Sequence, residues 1–228
     1  MANYSDIKGF TVQTLSSDTV ASQAEGGSWA SGGSLSTART SAQSSGSGND
    51  NAILAGGYLA TASPTSQAAC ESYNGTAWTA YGSPGNQNTS RLDGVAQNGT
   101  STAGLMFQGR TGPGPVNTQA TEEWDGSTWT ASNNYPVAMV FAQGAGTQTA
   151  AVGFGGDKMP GETAQTTCCT YDGSSWTVAN SLGTAVTRHA SAKNGTSTAA
   201  LSFSGNIPGT TQTEEFTGAV ETRTLTLS

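Results

Sequence analysis

The sequence predicts an all-β fold made of four tandem repeats, each with four short strands. Three observations support this prediction: tryptophans recur at a regular period, tight-turn dipeptides precede them, and no segment has the apolar periodicity of a helix. The chain holds 31 glycines, and only 10% of its residues are charged. Because aromatic residues recur in order, we expect a folded repeat and not a disordered chain, which is poor in aromatics and rich in charge.

The tryptophans define the repeat. Trp29, Trp78, Trp129 and Trp176 are separated by 49, 51 and 47 residues, a period typical of propeller blades. Asn-Gly or Asp-Gly precedes the last three of them and supplies the positive φ angles that a tight β-hairpin requires. The predicted organisation is an N-terminal arm or closure segment at 1–28, followed by repeats at about 29–77, 78–128, 129–175 and 176–228.

Each repeat contains further strands with their own signals. A first strand is predicted to open near Arg39, Arg91, Met139 and Arg188, and a second strand ends on glycine in every repeat. The fourth copy of the hairpin, which begins at Phe216, is degenerate and leads into an alternating strand at 222–227. Four strands in a meander are therefore expected in each repeat.

The order of these signals resembles the kelch family, whose repeats each form one blade of a β-propeller. In the first repeat the pattern is a glycine pair at 56–57, Glu71, Tyr73 and Trp78. The resemblance covers about residues 29–228 and implies a small propeller of four four-stranded blades, a number at the low end for propellers. The alternative is an open array of blades that is completed by oligomerisation.

A second resemblance concerns the source of the chain. The Thr-Glu-Glu-aromatic segments at 121–124 and 213–216, together with the opening segment at 9–18, resemble kelch-like structural proteins of marine bacteriophages. This resemblance implies a virion protein, made in the host cytoplasm and released by lysis. The N-terminus fits this expectation because it has no apolar core of a secretory signal.

Composition argues against several classes of partner. A net charge of −7 and a pI near 4.5 disfavour nucleic acid, which is bound by clustered Lys and Arg. No apolar run approaches the roughly 20 residues of a membrane-spanning helix. Cys70, Cys168, Cys169 and His189 have no disulfide-framework or zinc spacing, so no metal or other cofactor is expected.

Three functional hypotheses follow. The first is a non-enzymatic structural protein of a phage virion, a tail appendage, fibre-associated or capsid-decorating protein, present in multiple copies and bound to other virion proteins. The second is a carbohydrate-binding adhesin module that attaches to a host-surface glycan. The third is a propeller hydrolase or lyase, for which the evidence is weak: His189 has no nucleophile motif near it, and neighbouring residues such as Glu122 and Glu123 point to opposite sides of a strand.

A binding face is predicted from the loops. The turns between strands 1–2 and 3–4 are nearly the same in every repeat, whereas the loops between strands 2–3 and 4–1 diverge. Loops that are free of turn constraints commonly carry function, although unselected drift gives the same pattern. The candidate contact residues on the divergent face are Tyr81, Arg110, Tyr135, Lys158 and Met159.

The sequence also predicts a repeated internal ion pair. Aligned by repeat, the first-strand position holds arginine in three repeats and methionine in the third, and the third-strand position holds glutamate in the same three repeats and cysteine in the third. Since a lone buried charge is costly, loss of one partner favours loss of the other. The interpretation is a structural pair in each charged repeat, with the arginines as a ligand-binding cluster as the alternative. The predicted pairs are Arg39–Glu71, Arg91–Glu122 and Arg188–Glu214.

Overall fold

The computed structural model describes residues 29–59, 65–96, 99–112, 114, 116–205, 209 and 211–218. Every regular element in these ranges is a β-strand, so the predicted all-β class is confirmed. No helix able to cross a membrane occurs in this part of the chain. The predicted arm at 1–28 and the predicted strand at 222–227 lie outside the described residues.

The chain divides into two compact units, Met1–Ser31 and Gly32–Ser228. In the first unit residues 29–31 are described, and the side chain of Trp29 is fully exposed to solvent. The second unit contains twenty-one described strands. They are β1 (Gln43–Gly48), β2 (Asn51–Ala55), β3 (Tyr58–Leu59), β4 (Thr65–Ser66), β5 (Cys70–Tyr73), β6 (Trp78–Tyr81), β7 (Val95–Ala96), β8 (Gly104–Phe107), β9 (Arg110–Thr111), β10 (Val116–Asn117), β11 (Thr121–Trp124), β12 (Trp129–Ser132), β13 (Gln143–Thr147), β14 (Ala150–Phe154), β15 (Asp157–Lys158), β16 (Thr163–Ala164), β17 (Cys168–Tyr171), β18 (Trp176–Val178), β19 (Ala190–Ser191), β20 (Ala199–Phe203) and β21 (Thr213–Thr217).

Four larger antiparallel sheets follow one another along the chain. Sheet 1 has the order β1-β2-β5-β6, sheet 2 β7-β8-β11-β12, sheet 3 β13-β14-β17-β18, and sheet 4 β19-β20-β21. Sheets 1 to 3 have the four strands predicted for a repeat, and sheet 4 has three within the described residues. In the chain each sheet is complete before the next one begins. The fourth strands of sheets 1 to 3 begin at Trp78, Trp129 and Trp176, which open the following predicted repeats, so the sheets are offset from the predicted repeat boundaries by one strand.

The tight turns between the third and fourth strands form where the sequence predicts them. In sheet 2, Trp124 pairs with Trp129 across the turn, and Gly126 adopts a φ of 100°. The carboxylate of Asp125 accepts hydrogen bonds from the backbone N–H groups of Ser127 and Thr128, both at 2.8 Å. This local bonding explains why an Asp-Gly or Asn-Gly dipeptide fixes the register of the hairpin.

Three additional two-stranded ribbons interrupt the sheets. They are β3–β4, β9–β10 and β15–β16, and each lies between the second and third strands of its sheet. The sequence analysis predicted only divergent loops at these places. An isolated bridge ties each ribbon to the segment that precedes the first strand of its sheet: Thr40 to Tyr58, Leu92 to Arg110, and Val140 to Asp157.

Aromatic side chains fill the junctions between successive sheets. Trp129, on the outer strand of sheet 2, is buried in one cluster with Ile53 and Cys70 of sheet 1. Trp176, on the outer strand of sheet 3, lies 4.6 Å from Phe107 of sheet 2, measured between ring centroids. Trp78 instead contacts Tyr73 within its own sheet, at 5.1 Å. Packing between sheets is therefore present at Trp129 and Trp176.

Backbone hydrogen bonds also connect the sheets, through four residues with a left-handed backbone. Ser41, Asp93, Phe141 and Arg188 have φ between 49° and 56° although none is glycine. Each N–H after the first donates to the carbonyl of the residue before it in this series, at 3.2, 3.0 and 3.2 Å. Non-glycine residues with positive φ are uncommon, so this recurrence marks equivalent positions of the four repeats.

Replacing tryptophan by alanine at the two kinds of position should have unequal effects. Trp129→Ala should lower the free energy of unfolding by about 3–5 kcal/mol, because it leaves a cavity between two sheets. Trp78→Ala should lower it by less than half as much, since Trp78 is only half-buried. Urea unfolding followed by circular dichroism measures both values, and equal losses would contradict the assignment of Trp129 to the junction.

A second expectation concerns stability at acid pH. His189 is buried and packs against Phe154, and burial lowers the pKa of its imidazole to about 4. In the unfolded chain this pKa is about 6.5, so between pH 6.5 and pH 4 the unfolded state binds the extra proton. Stability from neutral His189 is therefore complete above pH 6.5 and is lost as pH falls towards 4, by about 3 kcal/mol at most.

The comparison of wild type with His189→Leu isolates this contribution. Leucine is apolar and of similar size, so the variant should lose the part of the pH dependence between pH 6.5 and pH 4 that belongs to His189. Denaturant midpoints measured across this range give the slope for each protein. Identical slopes would show that His189 is not held neutral by the fold.

Candidate functional site

The strongest candidate for a contact site is the surface formed by the three ribbons, β3–β4, β9–β10 and β15–β16, here called the ribbon surface. Neighbouring ribbons touch one another. The backbone N–H of Gly112 donates to Ser66 Oγ at 2.9 Å, and Asn117 Nδ2 donates to the carbonyl of Met159 at 3.4 Å. The ribbons therefore form one continuous surface, although each belongs to a different sheet.

Charged side chains lie beside the ribbons, where Asp93 and Arg188 contact the ribbon residues Arg110 and Asp157. Arg110 Nε donates to Asp93 Oδ2 at 2.8 Å. The guanidinium of Arg188 lies 4.0 Å above the ring of Phe141, and its Nη1 atom is 3.9 Å from Asp157 Oδ2. Burial raises the pKa of the Asp157 carboxyl, and the nearby Arg188 opposes this effect. Arg188 thus has a cation–π contact and a long ion-pair contact at the same border.

The structure places Arg110, Lys158 and Met159 on the ribbon surface, in agreement with their selection from the divergent loops. Arg110 keeps 23% of its side chain exposed, Lys158 is exposed, and Met159 is half-buried. Val116, which the sequence analysis did not select, is 61% exposed on β10. Val116 could have been selected from the sequence because it is an apolar residue within a Gly- and Pro-rich loop.

Tyr135 is not an exposed contact residue, and its selection was wrong, whereas Tyr81 keeps part of its side chain exposed outside the ribbon surface. Tyr135 is completely buried, its ring stacks on Phe107 at 5.4 Å, and its hydroxyl donates to the carbonyl of Gly153 at 2.8 Å. Tyr81 is half-buried, with its ring 4.9 Å from Trp124. Both residues follow or end a fourth strand, where an aromatic side chain reaches the junction between sheets and so leaves the surface.

Two of the predicted ion pairs are present. Arg39 Nη2 lies 2.5 Å from Glu71 Oε1, and Arg91 Nη2 bonds Glu122 Oε1, with the side chains of both pairs buried. Burial lowers the pKa of the Arg91 guanidinium, and Glu122 counteracts this shift. Neither guanidinium reaches the surface, and each is bound to a carboxylate, as the structural interpretation of these pairs predicts.

The glutamates have a second role that the sequence analysis missed. Glu122 accepts hydrogen bonds from the backbone N–H groups of Asn88 at 2.6 Å and Thr89 at 3.0 Å. The carboxylate thereby holds the chain segment that enters the sheet, in addition to the guanidinium. The other two glutamates do the same: Glu71 accepts from Ser36, and Glu214 accepts from Gly183 and Thr184.

The third repeat lacks the arginine, the glutamate and the first of the two backbone donors. Met139 and Cys169 occupy the positions of arginine and glutamate, and both are fully buried in one apolar cluster. Pro136 occupies the position of Ser36 and Asn88, and proline has no N–H to donate. Pro136 therefore leaves no unsatisfied donor at this position when the carboxylate is absent. Val137, at the position of Thr89, keeps its N–H.

The predicted pair Arg188–Glu214 is not formed, because the alignment of the fourth repeat was displaced by two residues. Glu214 bonds only backbone N–H groups in the contacts given above, and Arg188 lies at the border of the ribbon surface. The position equivalent to Arg91 is Val186. Equivalent backbone bonds establish this: Gly57 donates to Arg91, Gly109 to Met139 and Gly156 to Val186, at 2.8, 2.9 and 2.8 Å.

Transplanting the apolar version into the second repeat tests this account. Glu122→Ala alone should lower the free energy of unfolding by about 3–5 kcal/mol, because it leaves Arg91 buried without its partner. Arg91→Met with Glu122→Cys should recover part of that loss, and a further Asn88→Pro should recover more. The three substitutions reproduce Met139, Cys169 and Pro136, which occupy the equivalent positions of the third repeat. Strictly additive effects in denaturant unfolding would contradict the coupling.

The described residues contain no group of three or more His, Cys, Asp or Glu side chains that could hold a metal ion. Compared with known protein families, the chain matches no family model, and a search of curated proteins finds no match. The resemblance to kelch repeats therefore depends on the motifs themselves, and the function is argued from the chain's own geometry.

Proposed function

We propose that this chain is a non-enzymatic structural protein of a bacteriophage particle, with its sheets arranged as the blades of a small propeller and its ribbon surface bound to another particle protein. The single observation that carries the proposal is the ribbon surface: a continuous, partly exposed surface built from the divergent segments of a repeated scaffold. The particle itself is inferred from the resemblance to phage kelch-like proteins.

The division between scaffold and surface supports a binding role. The charged residues Arg91 and Glu122 are used inside the sheets, where they hold the chain together. On the ribbons, equivalent backbone positions carry unrelated side chains, namely the half-buried Tyr58 and Arg110 and the buried Asp157. A repeated framework that varies at one surface suits recognition of a partner, since the framework does not depend on what that surface displays.

The composition of the ribbon surface fits a protein partner. Val116 supplies exposed apolar area, and Lys158 and Arg110 supply positive charge at the margin of a chain whose net charge is −7. Protein interfaces commonly combine an apolar centre with a polar rim that includes arginine. We therefore infer that the partner presents an apolar patch with acidic groups beside it.

Particles assembled with variant chains test the proposal. Val116→Asp introduces a charge on the ribbon surface, and Val178→Asp introduces the same charge on β18, at a position of nearly equal exposure, 67% against 61%. Quantitative mass spectrometry of purified particles should find the wild-type chain and the Val178→Asp chain in equal copy number. The Val116→Asp chain should be reduced at least tenfold, because a buried interfacial charge without a partner is costly.

Two results would overturn the proposal. Absence of the wild-type chain from purified particles would exclude a particle component. Equal copy numbers of the two variants would show that the ribbon surface is not the attachment surface.

A further inference from the structure

The hairpin turn of sheet 1 carries an asparagine where the turns of sheets 2 and 3 carry an aspartate. Asp125 and Asp172 each accept hydrogen bonds from the backbone N–H groups two and three positions later, at 2.8 Å. Asn74 Oδ1 accepts the same two bonds, from Thr76 and Ala77, at 3.0 Å. The side-chain carbonyl of Asn74 is therefore held against two donors, as the carboxylates of the other two turns are.

Asn74 is followed by glycine, and this pair of residues can react with itself. The backbone nitrogen of the following residue attacks the side-chain carbonyl carbon of asparagine, which closes a succinimide ring and releases ammonia. Gly75 has no side chain to hinder this approach, and its backbone has a φ of 92°. Both residues are exposed, and within the described residues the N–H of Gly75 donates no hydrogen bond. The attacking nitrogen therefore has no hydrogen bond to break before it reacts.

The two donors to Asn74 Oδ1 lie where charge develops in this reaction. As the Gly75 nitrogen adds to Asn74 Cγ, the carbonyl oxygen becomes an oxyanion. The N–H groups of Thr76 and Ala77 already lie within hydrogen-bond distance of that oxygen, at 3.0 Å. Preorganised donors of this kind stabilise the addition step of acyl transfer. The turn therefore favours attack at Cγ, in addition to holding the side chain.

A carboxylate lies beside this turn, whereas threonine lies beside the turns of sheets 2 and 3. A methyl group at Gly75 would lie 3.1 Å from Asp50 Cβ and 3.3 Å from Asp50 Cα. At the equivalent glycines of the other two turns, the neighbours are Thr102 and Thr149. Attack by an amide nitrogen requires a base to take its proton, and a carboxylate accepts a proton more readily than a threonine hydroxyl. Sheet 1 thus combines asparagine, glycine and a base in one turn.

A second copy of the same tripeptide is a natural control. Residues 194–196 repeat the Asn-Gly-Thr sequence of residues 74–76. There the N–H of Gly195 donates to the carbonyl of Ala192 at 2.9 Å. The attacking nitrogen is thus bonded, so attack on the side chain of Asn194 requires that a hydrogen bond breaks first.

We propose that Asn74 is a self-modification site, at which the chain converts this residue to aspartate with water as the co-reactant. The carboxylate of Asp50 takes the proton of the Gly75 N–H as the nitrogen bonds to Asn74 Cγ. The bond between Cγ and Nδ2 then breaks, and the amide nitrogen leaves as ammonia with that proton. Water hydrolyses the bond between Cγ and the Gly75 nitrogen and returns a proton to that nitrogen. An amide and water thereby become a carboxylate and ammonium, with no oxidation or reduction.

The turn also selects between the two products of hydrolysis. Opening of the ring at Cγ gives aspartate, whereas opening at the main-chain carbonyl gives isoaspartate, in which the main chain runs through the side chain. The donors at Thr76 and Ala77 polarise the Cγ carbonyl, so water attacks there. Aspartate also keeps Tyr73 paired with Trp78 across the hairpin, a pairing that an extra main-chain carbon would displace. The expected product is therefore aspartate, with the bonding that Asp125 has in sheet 2.

The modification adds one negative charge to a chain whose net charge is −7, and it gives the hairpin turns of sheets 1 to 3 a carboxylate each. Asp172 shows how such a turn receives this group: hydrogen bonds from the backbone N–H groups of Ser175 and Ser174 lower the pKa of its carboxyl to about 2. These turns join the third strand to the fourth, whereas the ribbons lie between the second and the third, at the opposite end of each sheet. The inference is therefore independent of the ribbon surface.

Incubation of the full chain at neutral pH, followed by mass spectrometry of its peptides, tests the proposal. The peptide with Asn74 should gain the mass difference between NH2 and OH at least about tenfold faster than the peptide with Asn194, because its attacking nitrogen is unbonded and has a base beside it. In the chain unfolded by urea the two peptides should react at similar rates, since their tripeptides are the same. Digestion of an Asn74→Asp chain supplies the aspartate peptide, with which the product should co-elute.

Asp50→Thr is the matched variant, because it places beside this turn the residue found beside the turns of sheets 2 and 3. It should slow the reaction at Asn74 by about tenfold or more, with unchanged circular dichroism and an unchanged rate at Asn194. Equal rates at Asn74 and Asn194 in the folded chain would overturn the proposal, as would isoaspartate as the main product or an Asn74 that stays unmodified. An Asp50→Thr chain that reacts as fast as the wild type would exclude Asp50 as the base.

Discussion

The structure depends on the aromatic side chain that reaches from one sheet into the preceding one. A sheet of four short strands cannot bury both of its faces by itself. Trp129 and Trp176 solve this problem by placing large apolar area between consecutive sheets. Because each tryptophan sits at the start of a fourth strand, the hairpin turn that sets its register also sets the packing of its sheet against the preceding one.

The carboxylates of the third strands form a second layer of connection, and the third repeat shows that it is replaceable. Where glutamate is present it ties together backbone N–H groups, and in the first two repeats it also binds a guanidinium. Where Cys169 replaces it, Met139 takes the place of the guanidinium and Pro136 takes the place of the first backbone donor. A mixture of the polar and apolar versions would contain a buried charge without its partner.

Much of the fold could be predicted because its signals are local. Alternating strands, glycine-terminated strands and Asp-Gly turns are short-range features, and they located the sheets and the hairpins. The ribbons were missed since each strand of a ribbon is two residues long, too short for a period to be visible. The burial of Tyr135 was missed for a different reason: a tyrosine in a polar loop gives no local sign that the next sheet will cover it.

The error at Arg188 shows how a charge can mislead an alignment. An alignment of the repeats on their arginines places Arg188 at the same position as Arg39 and Arg91. An alignment on the backbone hydrogen bonds donated by the glycine pairs places Val186 at that position instead. Pro136 was available in the sequence as a sign that the third repeat had lost a donor together with its charges. Using it would have required knowing that the glutamates bind backbone N–H groups, which only the structure reveals.

The left-handed positions that link the sheets have a consequence for how such a chain can diversify. Serine, aspartate, phenylalanine and arginine occupy one and the same backbone geometry at residues 41, 93, 141 and 188. Size, polarity and charge all vary among these four side chains, so what the positions share is the conformation of the main chain. Evolution can therefore rewrite the chemistry at these four places by single codon changes, while the architecture that positions them is inherited intact.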